Sequence, residues 1–292
     1  MLLCLVLMFS CLALIPFVPR DYTRKTTTGG PIEARCLAMG AHKVQSLSVA
    51  AEEPARKITC FYPEELLQHT RRWPVVVFVN GTGVMPAKYD TLFRHLASWG
   101  FIVIGNDDPS TWSGKSADMT LEWLLNEDSL EGSIFHNKVD TGRIGISGHS
   151  QGGFGVVNAI TQCNNKDMYK AAVILSCNAK PNPGLGWTAN ASLVQASTMI
   201  VGSTGGVDKV LAPIASLLEL YGQIPDGVTK TLARRVKIDH GQSLYSADGY
   251  VTAWFLWHLQ DDGEAAKAFA GDHPELLENK LYTDQKINIP IE

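Results

Sequence analysis

Gly148-His149-Ser150-Gln151-Gly152 carries the clearest chemistry in the chain. The pentapeptide fits G-x-S-x-G. The β-rich run Ile144-Gly145-Ile146 leads into it, and the helix-like run Phe154 to Ile160 leads out. That context predicts a serine on a sharp strand-to-helix turn, a nucleophile elbow. The backbone there folds back on itself, so a bulky side chain at Gly148 or Gly152 would clash. The hydroxyl stands beside a helix N-terminus, which favours negative charge.

A neutral hydroxyl is a weak nucleophile and needs a general base within hydrogen-bond reach. In chains built on this elbow, an acid and then the base follow the serine. Three histidines remain after Ser150. His240 lies just past a strand ending at Ile238 and is followed by Gly241, which allows a tight loop. His258 falls inside the last helix as a packing residue, and His273 in a polar tail. His149 is expected to pack beside the elbow with its ring turned from the nucleophile. The acid candidates are Asp167, Asp208, Glu219, Asp226 and Asp239. Asp167, Glu219 and Asp226 fall at the wrong end of the sheet, and Asp239 is adjacent to His240, so their side chains diverge. Asp208 follows the strand Thr198 to Val201 in a glycine-containing loop and is the best placed. It would hold the His240 tautomer and stabilise the imidazolium. An oxyanion hole needs two backbone N–H groups, one from the residue after the nucleophile and one from the loop after the third strand. Those are Gln151 and the Asn80-Gly81-Thr82-Gly83 loop, with Thr82 the first choice. The Gln151 side chain is also expected to face substrate.

The elements needed to position these groups alternate. Strands are expected at Lys57 to Tyr62, Pro74 to Val79, Phe101 to Ile104, Arg143 to Ile146, Ala171 to Leu175, Thr198 to Val201 and Leu232 to Ile238. Helical periodicity occupies Lys88 to Trp99, Met119 to Leu125, Val210 to Leu220 and a final segment bearing Tyr250, Trp254 and Trp257. Alternation of this kind implies an α/β fold, with a mostly parallel central sheet and helices on both faces. Ligands then bind at the carboxyl ends of the strands. The loop between Cys177 and Thr198 is too short for a large lid domain, so the site is expected to be open. Trp112 and Trp187 both follow strand ends and are candidates for lining a substrate-binding subsite or for simple packing.

The chain has 292 residues, 45% of them hydrophobic, seven tryptophans and a formal charge of −4. This supports a sizeable core and offers no basic footprint for nucleic acid. Met1 to Val18 is apolar and uncharged, with Arg20, Arg24 and Lys25 behind it. It reads as an export signal or short signal-anchor within residues 1–20, which implies secretion or attachment to the cell envelope. Contact with a membrane would come only through that segment if it stays uncleaved. Residues 21–33 read as a linker, 34–262 as the catalytic domain and 263–292 as a C-terminal helical extension. Beyond Cys4 and Cys11 there are Cys36, Cys60, Cys163 and Cys177. They allow three disulfide connectivities, with 36–60 and 163–177 the local one, or four free thiols. No Cys/His cluster suggests a metal, and no cofactor is expected. The chain is expected to be monomeric.

The runs Val76 to Thr82, Leu96 to Ile104, Gly148 to Gly153, Asp208 to Pro213 and the His240 loop together resemble the α/β-hydrolase superfamily. More narrowly, they are similar to dienelactone-hydrolase-like and cutinase-like secreted serine esterases, including the polyester hydrolases, over about residues 34–262. The nucleophile here is serine, whereas dienelactone hydrolases use cysteine, and this favours ester hydrolysis. The resemblance implies acyl transfer to water. Ser150 would be the nucleophile, His240 the base and Asp208 the acid. The substrate would be an exposed ester, bulky or polymeric. A non-catalytic binding protein, a peptidase or a lipase on the same fold are the rival readings.

Overall fold

A computed structural model describes residues 18–290. The export-signal expectation therefore falls almost wholly outside the described residues. The chain begins with two short helices, α1 (Tyr22–Lys25) and α2 (Pro31–Leu37), followed by β1 (Val44–Ala50), β2 (Lys57–Pro63) and β3 (Trp73–Val79). Next come α3 (Asp90–Ser98), β4 (Ile102–Asn106), α4 (Lys115–Ser129), β5 (Val139–His149) and α5 (Gln151–Thr161). The second half runs β6 (Tyr169–Leu175), β7 (Ser197–Ser203), α6 (Asp208–Leu211), α7 (Ile214–Gln223) and β8 (Lys230–Arg235). It closes with α8 (Ser243–Ser246), α9 (Asp248–Gln260), α10 (Gly263–Ala266), α11 (Glu275–Glu278) and β9 (Tyr282–Asn288).

One nine-stranded sheet has the order β1-β2-β4-β3-β5-β6-β7-β8-β9. The pairs from β4 to β8 are parallel, while β1, β2 and β9 join antiparallel at the two margins. The order reverses at β3, between β4 and β5, which is where a parallel sheet opens a crevice at its carboxyl end. Alternation along β3 splits the core in two. Val76 and Phe78 face a layer with Phe93, Tyr250 and Trp254, and Val75, Val77 and Val79 face one with Leu121, Val156 and Leu217. Both faces are covered, so the central strands are apolar throughout.

Three expectations change. Residues 21–33 are not a bare linker: Pro31 starts a helix, and Tyr22 and Glu33 are each 1% exposed. Residues 263–292 are not wholly helical, since β9 pairs along β8. The helix expected from Val210 to Leu220 is two helices broken at Pro213, whose ring cannot continue the first one. The four described cysteines are free thiols. No helix among the described residues is long and apolar enough to cross a membrane.

Candidate active site

Ser150 sits between the end of β5 and the start of α5 with φ 57° and ψ −123°, a conformation that a residue with a side chain holds only when its surroundings impose it. The flanking glycines are required by close approach. A Cβ on Gly148 would meet the Gly152 carbonyl oxygen at 2.4 Å, and one on Gly152 would meet the Val79 carbonyl oxygen at 2.1 Å. The elbow is thus pressed against the end of β3, and the Ser150 amide donates to Leu175 O at the end of β6 (2.9 Å).

Asp208 opens α6, just past β7, and His240 opens a 3-10 turn just past β8. Their side chains meet: His240 Nδ1 lies 2.6 Å from Asp208 Oδ1, and the two side chains are 2% and 0% exposed. The loops bearing them are sewn together. Gly205 N donates to Ile238 O (2.7 Å), and Asp239 Oδ1 accepts from the amides of both Val207 (3.0 Å) and His240 (2.8 Å). Asp239 is thereby a loop clasp and not a partner of the His240 ring.

Two serines that sequence reasoning missed complete the cluster. Ser176 Oγ donates to Asp208 Oδ2 (2.7 Å) and lies 2.8 Å from Ser243 Oγ, which in turn reaches His240 O (2.8 Å). Ser176 is the first residue beyond β6; its position at a strand's carboxyl end was the one sign in the sequence. Burial works against the Asp208 carboxylate, but hydrogen bonds from His240 and Ser176 and the charge of His240 outweigh it, so its pKa falls below the ordinary aspartate value.

The ring of His149 packs 4.6 Å from that of His240, and its Nε2 donates to His240 O (2.9 Å). This brings the His240 loop against the elbow. Burial, then repulsion by His240, lowers the pKa of His149, which keeps it neutral beside the second imidazole. His240 Nε2 is buried and has no hydrogen-bond partner among the described residues. His258 is instead stacked on Trp257, 4.1 Å away, and burial lowers its pKa to about 4. His273 is exposed and pairs with Glu278 (3.2 Å).

The Thr82 and Gln151 amides donate to none of the described residues, whereas Gly81 N already donates to Tyr89 Oη (3.2 Å). Gln151 is the first residue of α5, where amides have no intrahelical acceptor. Its side-chain Oε1 accepts from Thr111 N (2.9 Å) and the residue is 3% exposed. The carboxamide oxygen is thereby committed to the Thr111 turn. Trp112 and Trp187 are partly buried against the core, Trp187 at 5.6 Å from Phe154. Asn158 Nδ2 draws the two loops together through Trp112 O and Thr188 O, both at 2.8 Å. Neither indole makes a polar or ring contact with Ser150, Asp208 or His240. Among the described residues, no group of three or more His, Cys, Asp or Glu side chains could hold a metal ion.

The chain is 26% identical over 215 residues to a bis(hydroxyethyl) terephthalate hydrolase of Streptomyces coelicolor, a match covering 70% of this chain and 62% of that protein. It is 25% identical over 179 residues to Cutinase 2 of Thermobifida cellulosilytica, covering 59% of this chain and 60% of that one. It is 26% identical over 180 residues to Cutinase est1 of Thermobifida alba, covering 59% and 53%. The matched stretches thus span less than two thirds of the length of these curated relatives. A family model described as PET hydrolase-like matches residues 25–286, nearly the whole chain. This chain belongs to the PET hydrolase-like family.

Proposed function

We propose that the chain is a serine carboxylic-ester hydrolase that works through an acyl-enzyme. The observation that carries this is the buried Asp208–His240 pair, linked to a strained serine elbow by the His149 ring that packs on His240, with His240 Nε2 left without a partner among the described residues. Ser150 Oγ attacks the ester carbonyl carbon while His240 Nε2 takes its proton. The carbonyl oxygen becomes an oxyanion, bound by the Thr82 and Gln151 amides. Collapse breaks the carbon–alkoxide bond, and the imidazolium returns the proton to the leaving alcohol. A water then repeats the sequence on the acyl-serine, releasing the acid. Asp208 keeps the Nδ1–H tautomer and offsets the positive charge on the ring.

The substrate we infer is an exposed ester, bulky or polymeric. Two features support this: the short connection between β6 and β7, which bears no lid domain, and the names of the relatives, a terephthalate diester hydrolase and cutinases. We further propose secretion, from the apolar leader, and a monomeric state. The test is hydrolysis of p-nitrophenyl butyrate, followed by bis(hydroxyethyl) terephthalate and polyester film. Ser150→Ala is expected to lower kcat by about 10⁴-fold or more with the fold intact. Equal rates for the two proteins would end the proposal.

A further inference from the structure

The two proposed oxyanion donors come from separate elements. Thr82 belongs to the loop after β3, and Gln151 to the first turn of α5. Such donors stabilise the transition state only when both sit at about 2.7–3.1 Å from one oxygen position. Something must therefore set their separation, and one residue bonds to both arms. Thr111 Oγ1 donates to Asn80 O in the β3 loop (2.7 Å), and Thr111 N donates to Gln151 Oε1 (2.9 Å). Thr111 is 1% exposed and lies in the 3-10 turn Thr111–Ser113.

That turn is itself immobilised. Asn158 of α5 donates to Trp112 O (2.8 Å), and Ser110 N donates to Asp108 Oδ1 (2.7 Å). The β3 loop is fastened to the same segment a second time, through Gly83 N to Pro109 O (2.9 Å) and Asn80 Nδ2 to Asn106 O. The residue beside the nucleophile thus commits its side chain to a brace, while its amide stays open. Buried groups joined in this way have few alternative partners, so their spacing is fixed.

We propose that Thr111 is a positioning residue that sets the distance between the Thr82 and Gln151 amides, with the Gln151 carboxamide as its grip. The proposal rests on the esterase reading for its catalytic consequence but not for the brace itself. The experiment compares Thr111→Val, which removes the hydroxyl at similar volume, Thr111→Ser, which keeps it, and Gln151→Met, which keeps the length and the amide but loses the acceptor. Three quantities are read in the full chain: kcat and KM on p-nitrophenyl butyrate, inhibition by an alkyl boronic acid as tetrahedral mimic, and amide hydrogen exchange over residues 81–83 and 151–153.

Thr111→Val and Gln151→Met are expected to lower kcat about tenfold, with KM within about twofold, and to weaken the boronic acid by a similar factor. Amide exchange in both segments should rise about tenfold, Thr111→Ser should stay near wild type, and the double variant should be less than additive. Wild-type kcat, inhibition and exchange in Thr111→Val and Gln151→Met overturn the brace; if one variant fails to fold, the other decides in the same way. A wild-type chain that neither cleaves esters nor is labelled by a fluorophosphonate has lost the esterase reading alone. Exchange then decides the brace: a rise in Thr111→Val that Thr111→Ser does not share supports it, and unchanged exchange sinks it.

Discussion

The molecule contains two buried His–Asp pairs with the same 2.6 Å separation, and they are built for opposite ends. His240 and Asp208 sit at the carboxyl edge of the sheet. His95 of α3 and Asp248 of α9 sit inside the helical layer, with side chains 0% and 3% exposed. The difference lies in the second ring nitrogen. His95 Nε2 donates to Ala38 O (2.9 Å) while Nδ1 lies 2.6 Å from Asp248 Oδ2, so an oxygen stands at each nitrogen. Burial opposes a charge on the ring, but Asp248 and the backbone acceptors outweigh it and raise the His95 pKa. His240 Nε2 has no partner among the described residues. The carboxylates differ as well. Asp208 uses separate oxygens for His240 and Ser176, whereas Asp248 Oδ2 receives both His95 and the Tyr22 hydroxyl (2.5 Å). A buried imidazole–carboxylate pair can serve as a general base only where one nitrogen is left free to take a proton, as proposed for His240. Otherwise it is a bolt, here fastening the N-terminal segment through Tyr22.

The contrast is broken most directly by separating rate from stability. His240→Ala should lower kcat of the folded fraction by about 10⁴-fold, and should also cost stability because Asp208 stays buried with only Ser176. His95→Gln should cost stability alone: it leaves Asp248 buried without its imidazole partner, at about 3 kcal/mol, while kcat of the folded fraction stays within about twofold. Urea unfolding and active-site-titrated kinetics on both variants measure this, and a large kcat loss in His95→Gln would erase the distinction. Tyr22→Phe is the milder probe, expected to cost about 1 kcal/mol and to speed proteolysis near residues 19–27.

The smallest effect is on the pH dependence of stability. The folded pKa of His95 is raised above its unfolded value, so its contribution is complete below about pH 6.5 and is lost as pH rises through the folded value. Asp248 and Tyr22 are the titratable groups bonded around it, and the Tyr22 hydroxyl, pushed up by burial and by Asp248, stays protonated in that range. The melting temperature should therefore fall by a few degrees more between pH 6 and pH 9 in the wild type than in His95→Gln. Parallel curves would mean that His95 carries no charge in the folded protein.

The side proposed to be catalytic was the more legible of the two in the sequence. The elbow announces itself because a tight turn restricts its residues to a short pattern; Asp208 follows a strand with the visible apolar run Met199 to Val201, whereas the strand before His240 shows only Leu232 and Ala233 as apolar. The other pair left no such mark. His95 reads only as one face of an amphipathic helix, and its partner Asp248, first residue of α9, is brought to it only by tertiary folding. Ser176, Ser243 and the Thr111–Gln151 brace were missed for a related reason: a lone hydroxyl or carboxamide has no periodicity, and its partner is chosen by the fold. Residues 21–33 look like a linker by their Thr and Gly content. Yet Glu33 accepts hydrogen bonds from Tyr282 Oη and Asn279 Nδ2, each at 2.9 Å, from the far end of the chain. β9 escaped because a marginal strand pairs on one side only and can remain polar.

That last strand has a bearing on how copies of the molecule meet one another. A sheet this wide would offer a bare ladder of N–H and C=O groups along its outer rim. β9 places Asp284 and Lys286 on that rim, and the pairing with β8 slips between Leu232 and Arg234 near an Asp284 of positive φ. Charge and a local kink together discourage a neighbour from adding its own strand there, so the same seven residues that complete the sheet also guard this margin against strand addition.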